Sequence, residues 1–157
     1  MVFSGPGLYE IVLYQAPTLS LNSWGGTLNP GEVVKADTRS NPPPANGNAV
    51  WQIAAASGTG ASTQYLIINA HSGYFLTATT ANTIVSSQQR SPSDKSALWT
   101  ITPATTNGYQ VYTINSVTPA LGQLNVDGSR NTVGTPILAW PTSTTDNTKF
   151  YFDPVAA

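Results

Sequence analysis

Apolar residues along this chain alternate with polar ones in short runs, and nowhere do they recur at i, i+3, i+4, i+7 over the length a helix needs. The runs are YEIVLY, TLSLNSW, EVVKA, VWQIAAA, QYLIINA, YFLTATT, TIVSS, LWTIT, QVYTIN, QLNV, PILAW and KFYF. Thirteen glycines, twelve prolines and many asparagines separate them. Alternation with period two, bounded by turn residues, predicts about a dozen strands and an all-β chain.

The pattern also repeats. Tyr-x-Ile occurs at Tyr9–Ile11, Tyr65–Ile67 and Tyr112–Ile114, followed by Leu19–Leu21, Leu76–Ala78 and Leu124–Val126. An aliphatic pair comes next, Val33–Val34, Ile84–Val85 and Ile137–Leu138, and each unit closes on an aromatic strand beginning at Trp51, Trp99 or Phe150. Three units of four strands result, at roughly 7–58, 63–106 and 109–155. A unit this small cannot bury its apolar face alone, so the three pack about a common axis. The expectation is one domain over residues 1–157, a β-trefoil of three four-strand repeats around a pseudo-threefold axis. Trp51, Trp99 and Phe150 are expected in its core, because large aromatics at equivalent positions fill a shared interior.

Composition narrows the function. Only 8% of residues are charged and the net charge is −1, so there is no basic stripe for nucleic acid or an anionic membrane. With no cysteine, neither a disulfide framework nor a thiolate metal site nor a cysteine nucleophile can form. One histidine and seven scattered carboxylates offer no metal cluster and no nucleophilic triad with a local signature, and no cofactor is implied. No membrane insertion is expected, because no run approaches about 18 successive apolar residues. The N-terminal stretch lacks a signal-peptide pattern, which fits a cytoplasmic protein, with release by an unconventional route left open.

Three units closing on aromatics resemble the ricin B-type lectins, which carry Gln-x-Trp in each repeat. Here the Gln position holds Ala49, Ala97 and Thr148, so that signature is degenerate. The segments YEIVLYQAPTLSLNSW, YLIINAHSGYFLTATTANTIVS and ITPATTNGYQVYTIN followed by LGQLNV are similar to a fungal branch of the same family. The resemblance implies metal-free binding of galactose or N-acetylgalactosamine on glycans, a homodimer, agglutination and a defensive role. It also implies where a sugar sits. The family places an aromatic platform at the end of the third strand, in the spacing Gly-x-x-(Val/Ile)-x-x-aromatic. An acidic residue on the second strand, which takes hydroxyl protons, and an Asn three before the closing aromatic complete the pocket.

In the first repeat, Gly31 and Val34 lead to Asp37, with Ser20 on the second strand and Asn48 three before Trp51. The acidic platform departs from the family pattern, and Trp24, with Gly25 and Gly26 beside it, is the candidate indole. Asp37 and Arg39 fall on one strand face and read either as a bracket for sugar hydroxyls or as a surface ion pair. Asn22 and Asn46 join the candidate set. In the third repeat, Gly134 and Ile137 lead to Trp140, with Asn125 and Asn147 in the other places. Trp140 reads equally as a stacking platform or a rim residue, and Asp127 as a ligand carboxylate or as half of an Asp-Gly turn. The resemblance weights the first repeat above the third. The second repeat offers Thr77, Gln88 and Ser96 without an aromatic and is expected to be silent; His71 reads as a solvated turn residue.

Two other functions stay open on the residues alone. Glycosidase carboxylates can converge from distant loops, and trefoils of this size also block proteases through a loop, for which 38–48 with Pro42, Pro43 and Pro44 is the candidate.

Overall fold

The structure, a computed structural model, describes residues 2–45 and 47–156. The first repeat forms β1 (Gly7–Leu13), β2 (Leu19–Ser23), β3 (Glu32–Thr38) and β4 (Val50–Ser57). The second forms β5 (Gln64–Asn69), β6 (Phe75–Thr77), a third strand broken into β7 (Thr83–Ile84) and β8 (Ser86–Gln88), and β9 (Trp99–Thr106). The third forms β10 (Tyr109–Ser116), β11 (Gln123–Val126), β12 (Ile137–Trp140) and β13 (Phe150–Pro154).

The first and last strands of the repeats pair in a closed ring, β1 with β4, then β5, β9, β10, β13 and back to β1. Closure removes the exposed edges at which strands of other chains add. The inner strands form three hairpins, β2–β3, β6–β8 and β11–β12. Contacts of β3 with β8, of β12 with β7, and a bridge between Lys35 and Pro136 tie the hairpins into a cap. This is the β-trefoil.

The repeated residues meet as the pattern requires. Tyr9 lies opposite Trp51, Tyr65 opposite Trp99 and Tyr112 opposite Phe150, and the three closing aromatics are fully buried. A buried indole N–H needs an acceptor. Trp51 donates to the Leu21 carbonyl at 3.0 Å and Trp99 to the Leu76 carbonyl at 2.9 Å. Phe3, from the segment before β1, packs within 5.9 Å of Tyr9, Tyr65, Tyr112 and Phe152, so it lies on the pseudo-threefold axis.

The indole bonds correct one element of the sequence reading. Leu21, Leu76 and Leu124 are the equivalent residues, facing Ala36, Ser87 and Ala139 across their hairpins. The match of Leu19 with Leu124 is therefore two residues out. Leu19 and Leu21 are both buried, and a pattern of period two looks the same after a slip of two. In consequence the counterpart of Asn125 is Asn22, not Ser20.

Candidate functional site

The third repeat builds an open hollow. Along β12, Ile137 and Ala139 are buried and Leu138 half-buried, so alternation turns Trp140 outward, where it is 41% exposed. The indole thus stands at the last strand position, on the face away from the core. Beyond it the chain crosses back over Pro141–Thr145. That crossing is pinned by Gln123, whose Nε2 donates to the Ser143 carbonyl at 3.2 Å, and by a 2.7 Å hydroxyl contact between Ser143 and Thr145. The resulting depression, about 560 Å³, is lined by Asn125, Asp127, Trp140 and Asn147, with Leu138 and Thr142 among its other walls.

Asn147 is spent on architecture. Its Nδ2 donates to Asn125 Oδ1 at 3.2 Å and to the Val126 carbonyl at 3.1 Å, while its Oδ1 accepts from the Thr145 hydroxyl at 2.6 Å. These bonds orient Asn125, a buried residue at the wall of the hollow whose own Nδ2 has no protein partner among the described residues. Asp127 heads a one-turn 3₁₀ segment and pairs with Arg130, an exposed ion pair of small energetic value.

The first repeat repeats this architecture with other side chains. Asn48 Nδ2 donates to Asn22 Oδ1 at 3.1 Å and to the Ser23 carbonyl at 3.2 Å, the counterpart of the Asn147 bonds. Asn22 Nδ2 in turn lies 3.4 Å from Asp37 Oδ2, and Asp37 Oδ1 accepts from the Thr38 amide at 2.7 Å. Asp37 occupies the place that Trp140 holds in the third repeat, since both sit one position beyond the matched alanines, Ala36 and Ala139. Gly26 lies against Asn48, with only 3.2 Å between Nδ2 and the point where a Cβ would stand. Trp24 is half-buried, with the Lys35 ammonium 5.0 Å from its ring centre and its far edge against Gly134 of the third repeat.

Three of the first-repeat candidates need a separate account. Ser20 is fully buried and its hydroxyl has no partner among the described residues, so it faces the interior rather than a ligand. Arg39 does not bracket hydroxyls with Asp37. Its Nε donates to Glu10 Oε1 at 2.9 Å, its Nη2 to Glu10 Oε2 at 3.3 Å and to Asp153, and Nη1 reaches the Pro17 carbonyl at 3.4 Å. Arg39 lies past the end of β3, beside β1 and β13, where Glu10 is 1% exposed and needs a cation. Burial works against the guanidinium charge, but the hydrogen bonds to Glu10 and Asp153 outweigh it and hold the Arg39 pKa above its ordinary value. Asn46 lies outside the described residues.

In the second repeat the polar groups satisfy their own surroundings. Thr77 donates to the Phe75 carbonyl at 2.8 Å, Gln88 to the Ser86 hydroxyl at 2.9 Å, and Ser96 to Asp94 Oδ1 at 2.7 Å. Sequence reasoning missed the walls supplied by Leu138, Thr142 and Ser143. The only sign of them was the polar run that follows Trp140.

Among the described residues no group of three or more His, Asp or Glu converges to hold a metal ion. What the third-repeat hollow offers is an apolar ring plane, uncharged amide and hydroxyl groups, and one carboxylate. A neutral polyhydroxyl ring matches that set: C–H bonds against the indole and hydroxyls toward the amides.

Comparison with known proteins agrees. Residues 47–140 match the family described as ricin-type β-trefoil lectin domain-like. The chain is 54% identical over 153 residues to an agglutinin of Sclerotinia sclerotiorum, covering 98% of this chain and 99% of that one. The chain belongs to the ricin-type β-trefoil lectins. This lectin is a carbohydrate-binding protein and not an enzyme. Solved structures share its fold. The Rhizoctonia solani agglutinin superposes with a TM-score of 0.74 at 22% identity, over 98% of this lectin and 99% of that chain. The designed threefold-symmetric protein ThreeFoil gives 0.76 at 19%, over 95% and 99%. The C-half of an earthworm R-type lectin, solved in complex with GalNAc, gives 0.68 at 19%, over 95% and 99%.

Proposed function

We propose that this lectin binds terminal galactose and N-acetylgalactosamine, in the third-repeat hollow and beside the Asn22–Asp37–Asn48 cluster of the first repeat, and clumps glycan-bearing surfaces as a homodimer. The observation that carries the reading is an exposed indole sharing one hollow with an amide that has no protein partner. The galacto configuration has its O4 axial, which leaves C3, C4, C5 and C6 as a continuous C–H patch on one ring face. An indole covers such a patch; in the gluco configuration the patch is less continuous. The O4 and O3 hydroxyls, on the other side, point toward Asn125 and Asp127. In the first repeat Asp37 replaces the ring with a carboxylate, so recognition there leans on charge-assisted hydrogen bonds.

A monosaccharide has few atoms with which to offset its lost freedom, so each contact is weak. Two sites on one body, doubled in a dimer, raise avidity on a glycan-coated surface by orders of magnitude. The test is a calorimetric titration with galactose, N-acetylgalactosamine and glucose, run beside a red-cell clumping assay. Galactose and N-acetylgalactosamine are expected to bind and to reverse clumping, and glucose to do neither. Trp140→Ala is expected to remove about tenfold of affinity at the third repeat, the value of the apolar area the indole covers. Glucose binding as tightly as galactose, or an unchanged Trp140→Ala titration, would overturn the assignment.

A further inference from the structure

The turn between the first and second strands of one repeat lies next to the loop that borders the hollow of the repeat before it. Backbone bonds set the equivalence: the Ala70 amide donates to the Val50 carbonyl at 2.9 Å, and the Tyr14 amide to the Lys149 carbonyl at 3.0 Å. Val50 and Lys149 each precede a closing aromatic, so Ala70 and Tyr14 correspond, and so do the residues after them, His71 and Gln15. Both of these side chains do the same thing. His71 Nε2 is 2.9 Å from the Gly26 carbonyl, in the loop bordering the first-repeat cluster. Gln15 Nε2 lies 3.3 Å from the Arg130 carbonyl and 2.6 Å from Asn131 Oδ1, in the loop that borders the third-repeat hollow. A carbonyl only accepts, so His71 holds its proton on Nε2 toward Gly26. The residue that would serve the second repeat is Thr118 of the third repeat, since the Val117 amide donates to the Leu98 carbonyl at 3.1 Å; its short side chain makes no such bond among the described residues.

The loops need holding. Gly25 and Gly26 have φ of 87° and 60°, and a pair of glycines is the least constrained backbone a chain can present. Asn69 extends the same brace: its Nδ2 donates to the Asn48 carbonyl at 2.9 Å, while its Oδ1 accepts from the amides of His71 and Ser72, each at 3.2 Å. Asn48 is therefore held from both sides by the second repeat, directly through Asn69 and across Gly26 through His71.

We propose that His71 and Gln15 are positioning residues, latches by which the following repeat fixes the loop beside each proposed saccharide site, and that the second repeat, whose neighbouring loop has no latch, has no preformed site. The inference rests on the sites proposed above. Neither latch touches the sugar. Each spares the loop the entropy of ordering when sugar binds, so its loss weakens affinity without removing contacts.

The test is an amide-resolved NMR titration of the intact protein with N-acetylgalactosamine, following Gly26 and Asn48 for the first repeat and Asp127 with the Trp140 indole for the third. His71→Ala is expected to weaken first-repeat binding about three- to tenfold and leave the third unchanged, and Gln15→Ala to do the reverse. The exchanges His71→Gln and Gln15→His keep a ring or amide N–H at similar reach and are expected to bind within twofold of the parent. Alanine variants that bind like the parent, or exchange variants as weak as the alanines, would overturn the latches while leaving the sites in place. A parent protein whose amides shift at neither hollow would overturn the sites, and the latches with them.

Discussion

Gly122 ties the fold of the third repeat to its hollow, and Gly122→Ala tests that tie. The residue adopts φ 74° and ψ −124°, a region open essentially to glycine alone. A Cβ there would lie 2.0 Å from the Trp140 carbonyl oxygen and 2.7 Å from its carbon, contacts with backbone that no rotamer relieves. Alanine must therefore push the end of β12 away by more than an ångström, against the pairing of Gln123 with Trp140 and the 2.9 Å bond from the Ser116 amide to the Gly122 carbonyl. Backbone strain costs about 1–3 kcal/mol, and a weakened backbone hydrogen bond adds about 1 kcal/mol. At about 2–4 °C per kcal/mol for a chain of this length, Tm is expected to fall by roughly 5–15 °C. The displaced segment carries the indole, so saccharide affinity at the third repeat is expected to drop while the first repeat keeps its own. Differential scanning calorimetry and the amide-resolved titration measure both. A Tm within about 1 °C of the parent would refute the reasoning, and so would equal losses of affinity at the two repeats.

Three further outcomes follow from the geometry. Arg39→Ala strands Glu10, which is 1% exposed, and is expected to cost about 2–4 kcal/mol in urea unfolding. Saccharide binding should be unaltered; lost binding with full stability would return Arg39 to the site. The Asp94 carboxyl accepts hydrogen bonds from the Ser96 hydroxyl and amide, which, with Arg90 nearby, hold its pKa below the ordinary carboxylate value. Because the folded pKa is the lower one, its contribution is present at neutral pH and is lost as pH falls through that depressed pKa. Asp94→Asn is expected to lower stability at pH 7 and to leave it unchanged at pH 2; an equal loss at both would remove the electrostatic account. Trp99→Phe keeps the ring but frees the Leu76 carbonyl from its 2.9 Å bond, and about 1–3 kcal/mol is expected to go with it by chemical denaturation.

Much of the third-repeat hollow, a candidate site, was legible because its parts are tied to the repeat. Trp140 and Asn147 stand at fixed distances from Ile137 and Phe150, and the fold carries such distances into space unchanged. The candidate cluster of the first repeat was read less well. Alternation could not distinguish Leu19 from Leu21, so Ser20 was placed where Asn22 belongs, and only the bond from the Trp51 indole to the Leu21 carbonyl settles the register. Arg39 shared a strand parity with Asp37, but parity holds only while the strand continues, and β3 ends at Thr38. Its true partner, Glu10, lies on β1 and has no sequence relation to it.

Local chemistry therefore determined what kind of protein this is. Period-two alternation and aromatics recurring at 51, 99 and 150 point to a threefold all-β body, because each follows from neighbours in the chain. Tertiary structure alone decided which polar groups are free to act. Whether Asn125 keeps a donor unpaired, whether Arg39 is committed to Glu10, and whether His71 reaches Gly26 depend on residues far apart in the chain that the fold brings together. Hydrogen-bonding capacity is finite, and the fold sets which of it is left over for a ligand.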